Sequence, residues 1–308
     1  MTNLEVEHCP GPLNEEAGKA DACQTCPSKE TCLSIPKNGQ VDPDLDVITD
    51  RLKNIKHKLL VVSGKGGVGK STVSTLLSHA LSVDPDVEVG AMDLDLCGPS
   101  LPLMMGQHHG GEIHVSNDGW CPIYVADNLG VMSVQFLLPD DDSAVVWRAA
   151  KKVSMIKQFL KDVQWGDLDH LVIDTPPGTS DEHLTIVQFL REVGIDGAIV
   201  VTTPQETALL DVRREIGFCK KANIKVLGLI ENMSGFVCPN CQGQTKIFKP
   251  TTGGGKQLAK EMDIPFLGSL PLDPRLAQCC DLGSNFLIKY PDSPTSQEIL
   301  NIIDILGF

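Results

Sequence analysis

The chain has 308 residues, of which 42% are hydrophobic and 21% are charged, which is ordinary for a soluble protein with one large α/β domain and a short appendage. Its formal net charge of -14 argues against nucleic acid or an anionic membrane as a main partner, and we expect neither. No run of about 18 uncharged apolar residues indicates a membrane span. The acidic start resembles neither a secretory signal nor a mitochondrial presequence, so we expect a cytosolic protein that could also enter the nucleus.

Residues 1–55 differ in composition from the rest of the chain. They contain several prolines, few large apolar residues and four cysteines, Cys9, Cys23, Cys26 and Cys32. Such a segment cannot build its own hydrophobic core, so it is either disordered or organised by a metal centre. Four thiolates with the spacing C-x13-C-x2-C-x5-C can hold one complete metal centre. We predict a cysteine-rich segment at 1–55, ending in a short polar helix near 43–56, before a second domain at 56–308.

From residue 59 on, short apolar runs alternate with helical patterns. Strands are predicted at 59–63, 87–94, 129–134, 171–174, 198–203, 226–230 and 266–270. Helices are predicted directly after the first strand and near 142–162, 180–193, 206–222, 253–263 and 295–306. Apolar strands separated by helices indicate an α/β fold with a mostly parallel sheet covered by helices on both faces. Ligands of such sheets bind at the carboxyl ends of the strands.

A glycine-rich loop follows the first predicted strand and opens the next helix, which is the context of a P-loop. Its glycines let backbone N–H groups surround phosphate oxygens, and the helix N-terminus adds a partial positive charge. We expect Lys70 to reach the β- and γ-phosphates, Ser71 to ligate Mg²⁺ and Thr72 to contact the α-phosphate. The predicted nucleotide-binding residues of the loop are Gly64, Gly66, Gly67, Val68, Gly69, Lys70, Ser71 and Thr72.

Three acidic residues end two of the predicted strands. Asp93 and Asp95 follow the strand at 87–94, and Asp174 ends the strand at 171–174. Carboxylates at these positions can orient an attacking water or the hydration shell of a magnesium ion. We expect Asp95 to position the water with Asp93 in support, although the reverse assignment stays open. Asp174 is expected to hold a magnesium-bound water, and the Gly178 N–H to bond the γ-phosphate.

Lys65 is a second lysine inside the loop, in K-G-G-V-G-K-S. This resembles the deviant Walker A motif of the ParA/MinD/nitrogenase-iron-protein class. In that class the extra lysine reaches across a dimer interface to the partner's nucleotide. The resemblance implies an ATP-dependent homodimer and a catalytic set that joins Lys65 and Lys70 to Asp93, Asp95 and Asp174.

The same class suggests where the base binds. Asn232 ends a later strand and resembles the residue that recognises adenine, while Pro271, Asp273 and Arg275 resemble a second base-contacting loop. An asparagine at a strand end is also ordinary turn chemistry.

Cys238 and Cys241 form a C-x2-C pair, which can grip one metal ion or one edge of a cluster but does not close a four-thiolate site. The missing pair could come from Cys279 and Cys280, from the N-terminal cysteines or from a second subunit. A dimer would supply a second C-x2-C by symmetry. Zinc also stays open at this site, because the pair resembles half of a zinc knuckle.

These motifs together resemble the cytosolic iron–sulfur cluster assembly scaffold NTPases of the Mrp/Nbp group within the ParA/MinD-like class. The resemblance runs over almost the whole chain and rests on 64–72, 93–100, 174–183, 231–235 and 238–241. The four N-terminal cysteines match the longer member of the eukaryotic pair. One departure is Ala149-Ala150, where the family usually shows Gly-Pro; since alanine is a good helix former, the following helix could start earlier.

The resemblance implies a weak ATPase that uses ATP and Mg²⁺ and assembles 4Fe–4S clusters for cytosolic and nuclear apo-proteins. It implies a tightly held 4Fe–4S cluster on the four N-terminal cysteines and a labile one that bridges two subunits through Cys238 and Cys241. It also implies a heterotetramer with the shorter paralogue, besides the homodimer, and downstream cluster-targeting factors. Two alternatives are a ParA/MinD-type positioning protein switched by ATP and a zinc-stapled ATPase with an unrelated client.

Overall fold

The computed structural model describes residues 14, 16–26, 29–34, 42–107, 113–116, 118–137, 149–178, 181–238, 241, 243–247 and 250–308. Its strands are β1 Ile55–Val62, β2 Val89–Asp93, β3 Val115–Ser116, β4 Gly119–Trp120, β5 Ile123–Ala126, β6 Leu129–Ser133, β7 Leu168–Asp174, β8 Gly197–Thr202, β9 Val226–Glu231, β10 Phe236–Val237, β11 Gln244–Thr245 and β12 Phe266–Ser269. Its helices are α1 Lys29–Ser34, α2 Leu45–Leu52, α3 Lys70–Leu81, α4 Leu101–Met104, α5 Ala149–Asp162, α6 Asp181–Val193, α7 Glu206–Lys221, α8 Gly254–Met262, α9 Pro274–Leu282, α10 Phe286–Lys289 and α11 Pro294–Leu306.

Eight strands form one sheet in the order β12-β9-β8-β1-β7-β2-β6-β5. All neighbours in it pair in parallel except the edge strand β5, which is antiparallel to β6. The predicted mostly parallel α/β fold is therefore confirmed. Because β1, β7 and β2 are neighbours, the loops that leave their carboxyl ends converge at the centre of one sheet edge.

Helices cover both faces of the sheet, and β1 shows how the two faces are divided. Leu60 and Val62 pack into a core with α2, α5, α6, α7 and α8, whereas Leu59 and Val61 pack on the other face with α3, α9, α10 and α11. Successive side chains of a strand point to opposite faces, so a continuous apolar run is what a strand buried on both sides requires.

The start of the sheet differs from the prediction in two places. Helix α2 ends at Leu52, not near residue 56, and β1 begins at Ile55, four residues before the predicted strand. The physical reason is strand pairing, since Ile55 pairs with Leu168 on β7. Ile48 and Leu52 of α2 are fully buried in the core shared with α5 and α6, so that core includes residues that precede the predicted domain boundary.

Several short elements were not predicted, namely β3, β4, β5, β10, β11, α1, α4, α9 and α10. The helix predicted at 142–162 is described from Ala149 as α5, and residues 142–148 lie outside the described ranges. The last predicted helix is α11, whose Ile299, Ile302 and Ile303 are buried against the sheet and α3. Among the helices described, none combines the length and the apolar character needed to cross a membrane.

Candidate functional site

The P-loop lies between β1 and α3 and depends on glycine at two close approaches. A side chain at Gly64 would place its Cβ 2.4 Å from the backbone of Asp211 on α7, and one at Gly69 would place it 2.2 Å from Nδ2 of Asn232. Gly69 also adopts φ of 83° directly before the first residue of α3, Lys70. A left-handed turn there lets the loop wrap around a phosphate before the helix begins.

A cavity of about 220 Å³ opens over this loop. It is lined by Ser63, Lys65, Gly66, Gly67, Gly69, Lys70, Ser71, Thr72, Asp95, Gly98, Ser100, Met104 and Pro177. Most of the predicted loop residues therefore share one cavity with Asp95. The sequence analysis did not identify Ser63, Gly98, Ser100, Met104 or Pro177, which reach the cavity from neighbouring loops and from α4.

Asp174 is the buried anchor of the site. It has no exposed surface and lies 2.6 Å from the Lys70 ammonium, which is itself 6% exposed. The Ser71 hydroxyl donates to one of its carboxylate oxygens at 2.6 Å and the Ser74 hydroxyl donates to the other at 2.6 Å. A buried carboxylate with a cation and two hydroxyl donors is well compensated. Ser74 was missed, although its position four residues after Lys70 places both on one face of α3.

Asp93 is fully buried beside Asp174, with which it pairs across β2 and β7. Burial raises the pKa of its carboxyl to about 7, the charge of Asp174 adds to this rise, and the Lys70 ammonium opposes it. Two carboxyl groups this close disfavour a second negative charge. A cation that enters the site would therefore favour the ionised form of Asp93.

The hydrogen bonds of Asp93 and Asp95 separate their positions. Asp93 accepts the backbone N–H groups of Asp95, Ser100 and Leu101 at 3.0 to 3.2 Å, so its carboxylate holds the loop between β2 and α4 in place. Asp95 accepts only the more distant N–H groups of Cys97 and Gly98, both at 3.3 Å, among its described side-chain contacts. Asp95 is thus the carboxylate of the two that lines the cavity.

The loop after β7 is tied to the P-loop strand. The Thr175 hydroxyl donates to the Val61 carbonyl at 2.8 Å, and the Gly178 N–H donates to the Ser63 carbonyl at 2.8 Å. The Gly178 N–H that we expect to bond a γ-phosphate is therefore engaged with Ser63 in this structure. A phosphate could recruit it only by displacing that bond.

The predicted base-contacting residues lie outside the cavity. The Asn232 amide donates to the Val68 carbonyl at 2.9 Å and so holds the backbone of the P-loop in place. Asp273 caps α9 through the N–H of Arg275 and also binds the Arg275 guanidinium, with one contact at 2.6 Å. Pro271 lines a separate cavity of about 460 Å³ beside β10 and β11.

The C-x2-C pair lies at the tip of the hairpin formed by β10 and β11. Cys238 is half-buried and its N–H donates to the Gly243 carbonyl at 3.1 Å, whereas Cys241 is exposed. The base of the hairpin is held by the Leu272 N–H, which donates to the Gly235 carbonyl at 2.8 Å. The hairpin therefore carries one half-buried and one exposed thiol, which is half of the number that a four-thiolate site requires.

Cys279 and Cys280 are poor candidates for the other half. Both are buried in α9, at 1% and 8% exposed, and burial raises the pKa of both thiols, that of Cys280 to about 11. The Thr72 side chain also hydrogen-bonds Cys280. Metal ligation needs the thiolate, which such surroundings disfavour. Of the sources considered in the sequence analysis, this leaves the N-terminal cysteines and a second subunit.

The N-terminal cysteines are described in part, because Cys9 lies outside the described residues. Cys23 ends a 3-10 turn, the Cys26 N–H donates to the Cys23 carbonyl at 3.4 Å, and Cys32 lies in α1. In the described part of the chain no three metal-ligating side chains converge as a group. The soft donors nevertheless fit an iron–sulfur cluster, so the described segment supplies suitable ligands without closing a site around them.

The cysteine-rich segment rests on the first turn of α5. Ala17, Cys32 and Ala150 form a small buried cluster of their own, and Ala150 is one of the two alanines that replace Gly-Pro. A small side chain at this point lets α1 approach α5 closely. The N-terminal segment is thereby attached to the same helix that packs against α6.

Comparison with known proteins gives a family for this arrangement. The family model described as the NUBPL iron-transfer P-loop NTPase of the ParA group matches residues 54–306. The cytosolic Fe-S cluster assembly factor NBP35 of Kluyveromyces lactis is 63% identical over 302 residues, which cover 98% of this chain and 92% of that protein. Its counterpart in Eremothecium gossypii is 61% identical over 300 residues, covering 97% and 89%.

Solved structures agree with the fold. A nucleotide-binding protein from Archaeoglobus fulgidus in complex with ADP is 38% identical, with a TM-score of 0.65, and the match covers 78% of this chain and 91% of that one. The cell division ATPase MinD of Pyrococcus furiosus has a TM-score of 0.59 at 23% identity, covering 82% and 99%, and this second likeness concerns the fold alone.

Proposed function

This chain belongs to the NUBPL family of iron-transfer P-loop NTPases, and on that premise we propose that it is an ATP-dependent scaffold that assembles 4Fe–4S clusters and passes them to apo-proteins in the cytosol and nucleus. The observation that carries the proposal is that one chain combines a P-loop, with Lys70 paired to Asp174, and a hairpin that presents Cys238 and Cys241 at the surface. The first feature binds a nucleotide and the second binds half of a cluster.

At the nucleotide site, the buried residues would exchange partners when ATP binds. Lys70 would leave Asp174 for phosphate oxygens, and the Ser71 hydroxyl would turn from Asp174 to hold Mg²⁺, which neutralises phosphate charge when bound. Asp174 would then accept from water in that ion's shell. Asp95, which lines the cavity, is positioned to orient the attacking water, with Asp93 supporting its loop. We expect a weak hydrolysis rate from a single chain, because its site would lack the Lys65 of a second subunit.

Lys65 is the residue from which we infer a dimer. Its side chain is exposed, and no ion pair involves it among the described residues. We propose that it contacts the nucleotide of a second subunit, as in the class that its motif resembles. Asn232, Pro271 and Asp273 would contact the base, which requires the loops around the P-loop cavity to rearrange when nucleotide binds.

The cysteines would serve two clusters. Cys9, Cys23, Cys26 and Cys32 would hold a resident 4Fe–4S cluster within the segment at 1–55. Cys238 and Cys241 with their symmetry mates would hold the cargo cluster between the ATPase domains at 56–308. We propose a homodimer and a heterotetramer with the shorter paralogue, and downstream targeting factors that receive the cluster.

The proposal is tested by measuring iron, acid-labile sulfide and zinc per chain, with an absorption spectrum, on protein purified without oxygen. Cys23→Ala and Cys241→Ala are compared with the native chain. Cys219→Ala is the matched control, because Cys219 is a buried thiol of α7 with a pKa raised to about 12 by burial. We expect iron and sulfide in near-equal amounts, a different loss in each ligand variant and no loss in the control.

The outcomes discriminate among the alternatives. Zinc without sulfide after anaerobic reconstitution would leave a zinc-stapled ATPase and exclude the scaffold. If Cys23→Ala loses iron and Cys241→Ala does not, the result would exclude the proposed bridging cluster and support the proposed resident cluster. ATP-dependent binding to vesicles or DNA in co-sedimentation would instead favour a positioning protein.

A further inference from the structure

Lys152, in the first turn of α5, contacts the loop that follows β2 and the first turn of α6, and both segments adjoin the P-loop cavity. Its ammonium lies 2.8 Å from the Cys97 sulfur and 2.8 Å from a carboxylate oxygen of Glu182. Its side chain is 19% exposed and that of Glu182 is 13% exposed. A pair this sheltered is screened less by water and salt than an ordinary surface ion pair.

The first contact reaches the loop that follows β2. Cys97 is exposed, and its neighbours Asp95 and Gly98 both line the P-loop cavity. The Asp95 carboxylate in turn accepts the N–H groups of Cys97 and Gly98. A displacement of Cys97 would therefore also move the Asp95 carboxylate, because that carboxylate is hydrogen-bonded to the backbone of Cys97 and Gly98.

The second contact reaches the first turn of α6, the helix to which the segment after β7 leads. Glu182 is in the first turn of α6, directly after the segment that starts at Asp174 and contains Pro177, which lines the cavity. Helix α6 packs against α5. Lys152 thus connects the loop that follows β2 to the helix that follows β7, and residues of both segments or next to them line the P-loop cavity.

The charges at this junction favour a protonated Lys152. Burial alone would lower its pKa, but the contacts with Cys97 and Glu182 outweigh burial and raise the pKa. Two residues earlier on the same turn, Ala150 packs against Cys32 of the cysteine-rich segment. The first turn of α5 is therefore in contact with both nucleotide-site loops and with one of the predicted cluster ligands.

We propose that Lys152 is a positioning residue that couples the loop carrying Cys97 to the loop ending at Glu182, so that the two loops change together when a nucleotide enters the cavity. The inference rests on the proposed nucleotide site but assigns a residue that site does not include. It requires no reaction at Cys97, whose accessible thiol serves as a local reporter of the loop.

The test follows the rate at which iodoacetamide alkylates Cys97 in the full-length protein, resolved by peptide mass spectrometry. Rates are measured without nucleotide and with Mg²⁺ and a non-hydrolysable ATP analogue, and analogue affinity is measured separately by calorimetry. Cys121, which does not line the cavity, is the internal reference thiol. The variants are Lys152→Met, Lys152→Arg and Glu182→Gln, with Lys151→Met as the control from the same helical turn.

In the native chain we expect the analogue to change the Cys97 rate by about fivefold or more. In Lys152→Met and Glu182→Gln the analogue still binds but the change falls below about twofold, whereas Lys152→Arg and Lys151→Met keep it. Arginine retains the charge, so its rescue separates coupling from a general loss of stability.

Two results overturn the inference. One is a full response in Lys152→Met and Glu182→Gln, and the other is a native chain that binds the analogue without any change at Cys97. Failure of the native chain to bind the analogue at all is a different result, because calorimetry then contradicts the proposed nucleotide site itself. If Lys152→Met does not fold, Glu182→Gln alone decides.

Discussion

Asp174 and Lys70 are both almost completely removed from solvent and lie 2.6 Å apart. Without a nucleotide, the lysine is the only cation among the described contacts of this carboxylate. Removing one member of a buried ion pair leaves the other charge uncompensated. The P-loop lysine therefore stabilises the nucleotide-free fold, in addition to the phosphate contact that we propose for it.

We predict that Lys70→Ala lowers the free energy of unfolding of the nucleotide-free protein by about 3 to 5 kcal/mol, in addition to abolishing ATP binding. The measurement is urea denaturation without nucleotide. Lys65→Ala is the matched control, because Lys65 is exposed in the same loop, and it is expected to stay within about 0.5 kcal/mol of the native value. Equal effects of the two substitutions would contradict a stabilising role for the buried pair.

His79 provides a pH-dependent contribution to stability. It lies in α3 and is 6% exposed, its Nδ1 has no hydrogen-bond partner among the described residues, and burial lowers its pKa from 6.5 to about 4. Between these values the unfolded chain binds a proton at this residue that the folded chain does not. Stability is therefore lost as the pH falls.

We predict that His79 alone costs about 2 kcal/mol of unfolding free energy between about pH 8 and pH 5, with the remainder lost towards pH 4. Because glutamine does not titrate, His79→Gln should show a pH dependence that is flatter by that amount. Buried His170, whose pKa is also lowered to about 4, titrates in both proteins and cancels in the comparison. Parallel curves for the two proteins would refute the assignment.

At this scale the sequence predicts those residues whose role is local. The P-loop, Asp174 and the C-x2-C pair are recognisable because each motif needs particular residue types at a fixed short spacing or directly after a strand. Ser74 is one helical turn from Lys70 and could have been found in the same way. Lys152 could not, since its role depends on Cys97 and Glu182 approaching it from positions 55 residues before and some 30 residues after it.

At the scale of elements, α5 connects the cysteine-rich segment to the ATPase core. Its inner face packs in the core with α2 and α6, and its first turn packs against Ala17 and Cys32 through Ala150. A polar group at Ala150 would have to be buried without compensation for the segment to stay in place.

We predict that Ala150→Asp releases the cysteine-rich segment from α5 without unfolding the ATPase domain. Hydrogen exchange of residues 16–26 and 29–34 should become at least about tenfold faster, since a buried unpaired carboxylate costs more than 1.4 kcal/mol. Ser154→Asp, on the exposed side of the same helix, is the control and should leave exchange unchanged. Unchanged protection in Ala150→Asp would show that the segment is held elsewhere.

Most of the missed elements are short, although α9, with nine residues, was also missed. The long helices and the buried parallel strands were found because periodicity needs several residues to be detectable. The strands β3, β4, β10 and β11 have two residues each and carry no period. The early start of β1 was missed because Lys56, His57 and Lys58 are polar, although the strand pairs with β7 from Ile55 on.

At the scale of the whole molecule, the proposed nucleotide site and the cysteine hairpin each lack groups that a second subunit would provide. Lys65 is an exposed cation in the P-loop, and Cys238 and Cys241 would supply two of the four ligands that the proposed cluster needs. A dimer with two-fold symmetry would complete both sites together, because each subunit would contribute its Lys65 and its cysteine pair to the other. The formal charge of -14 per chain opposes association of two copies, and the proposed contact of Lys65 with the partner's nucleotide would offset part of that repulsion.

We predict that Lys65→Ala keeps monomer stability and nucleotide binding but weakens the ATP-dependent dimer by about a hundredfold or more. A charge-assisted contact is worth about 1.5 to 3 kcal/mol, and symmetry removes it twice. Light scattering after size exclusion, with a non-hydrolysable ATP analogue, measures the dimer, and iron analysis of the same fractions measures the clusters. Because the bridging site needs both hairpins, iron lost from Lys65→Ala should match that lost from Cys241→Ala, while the iron that Cys23→Ala removes should remain. A dimer that persists in Lys65→Ala with its full iron would mean that the cysteine hairpins, not the nucleotides, hold the subunits together.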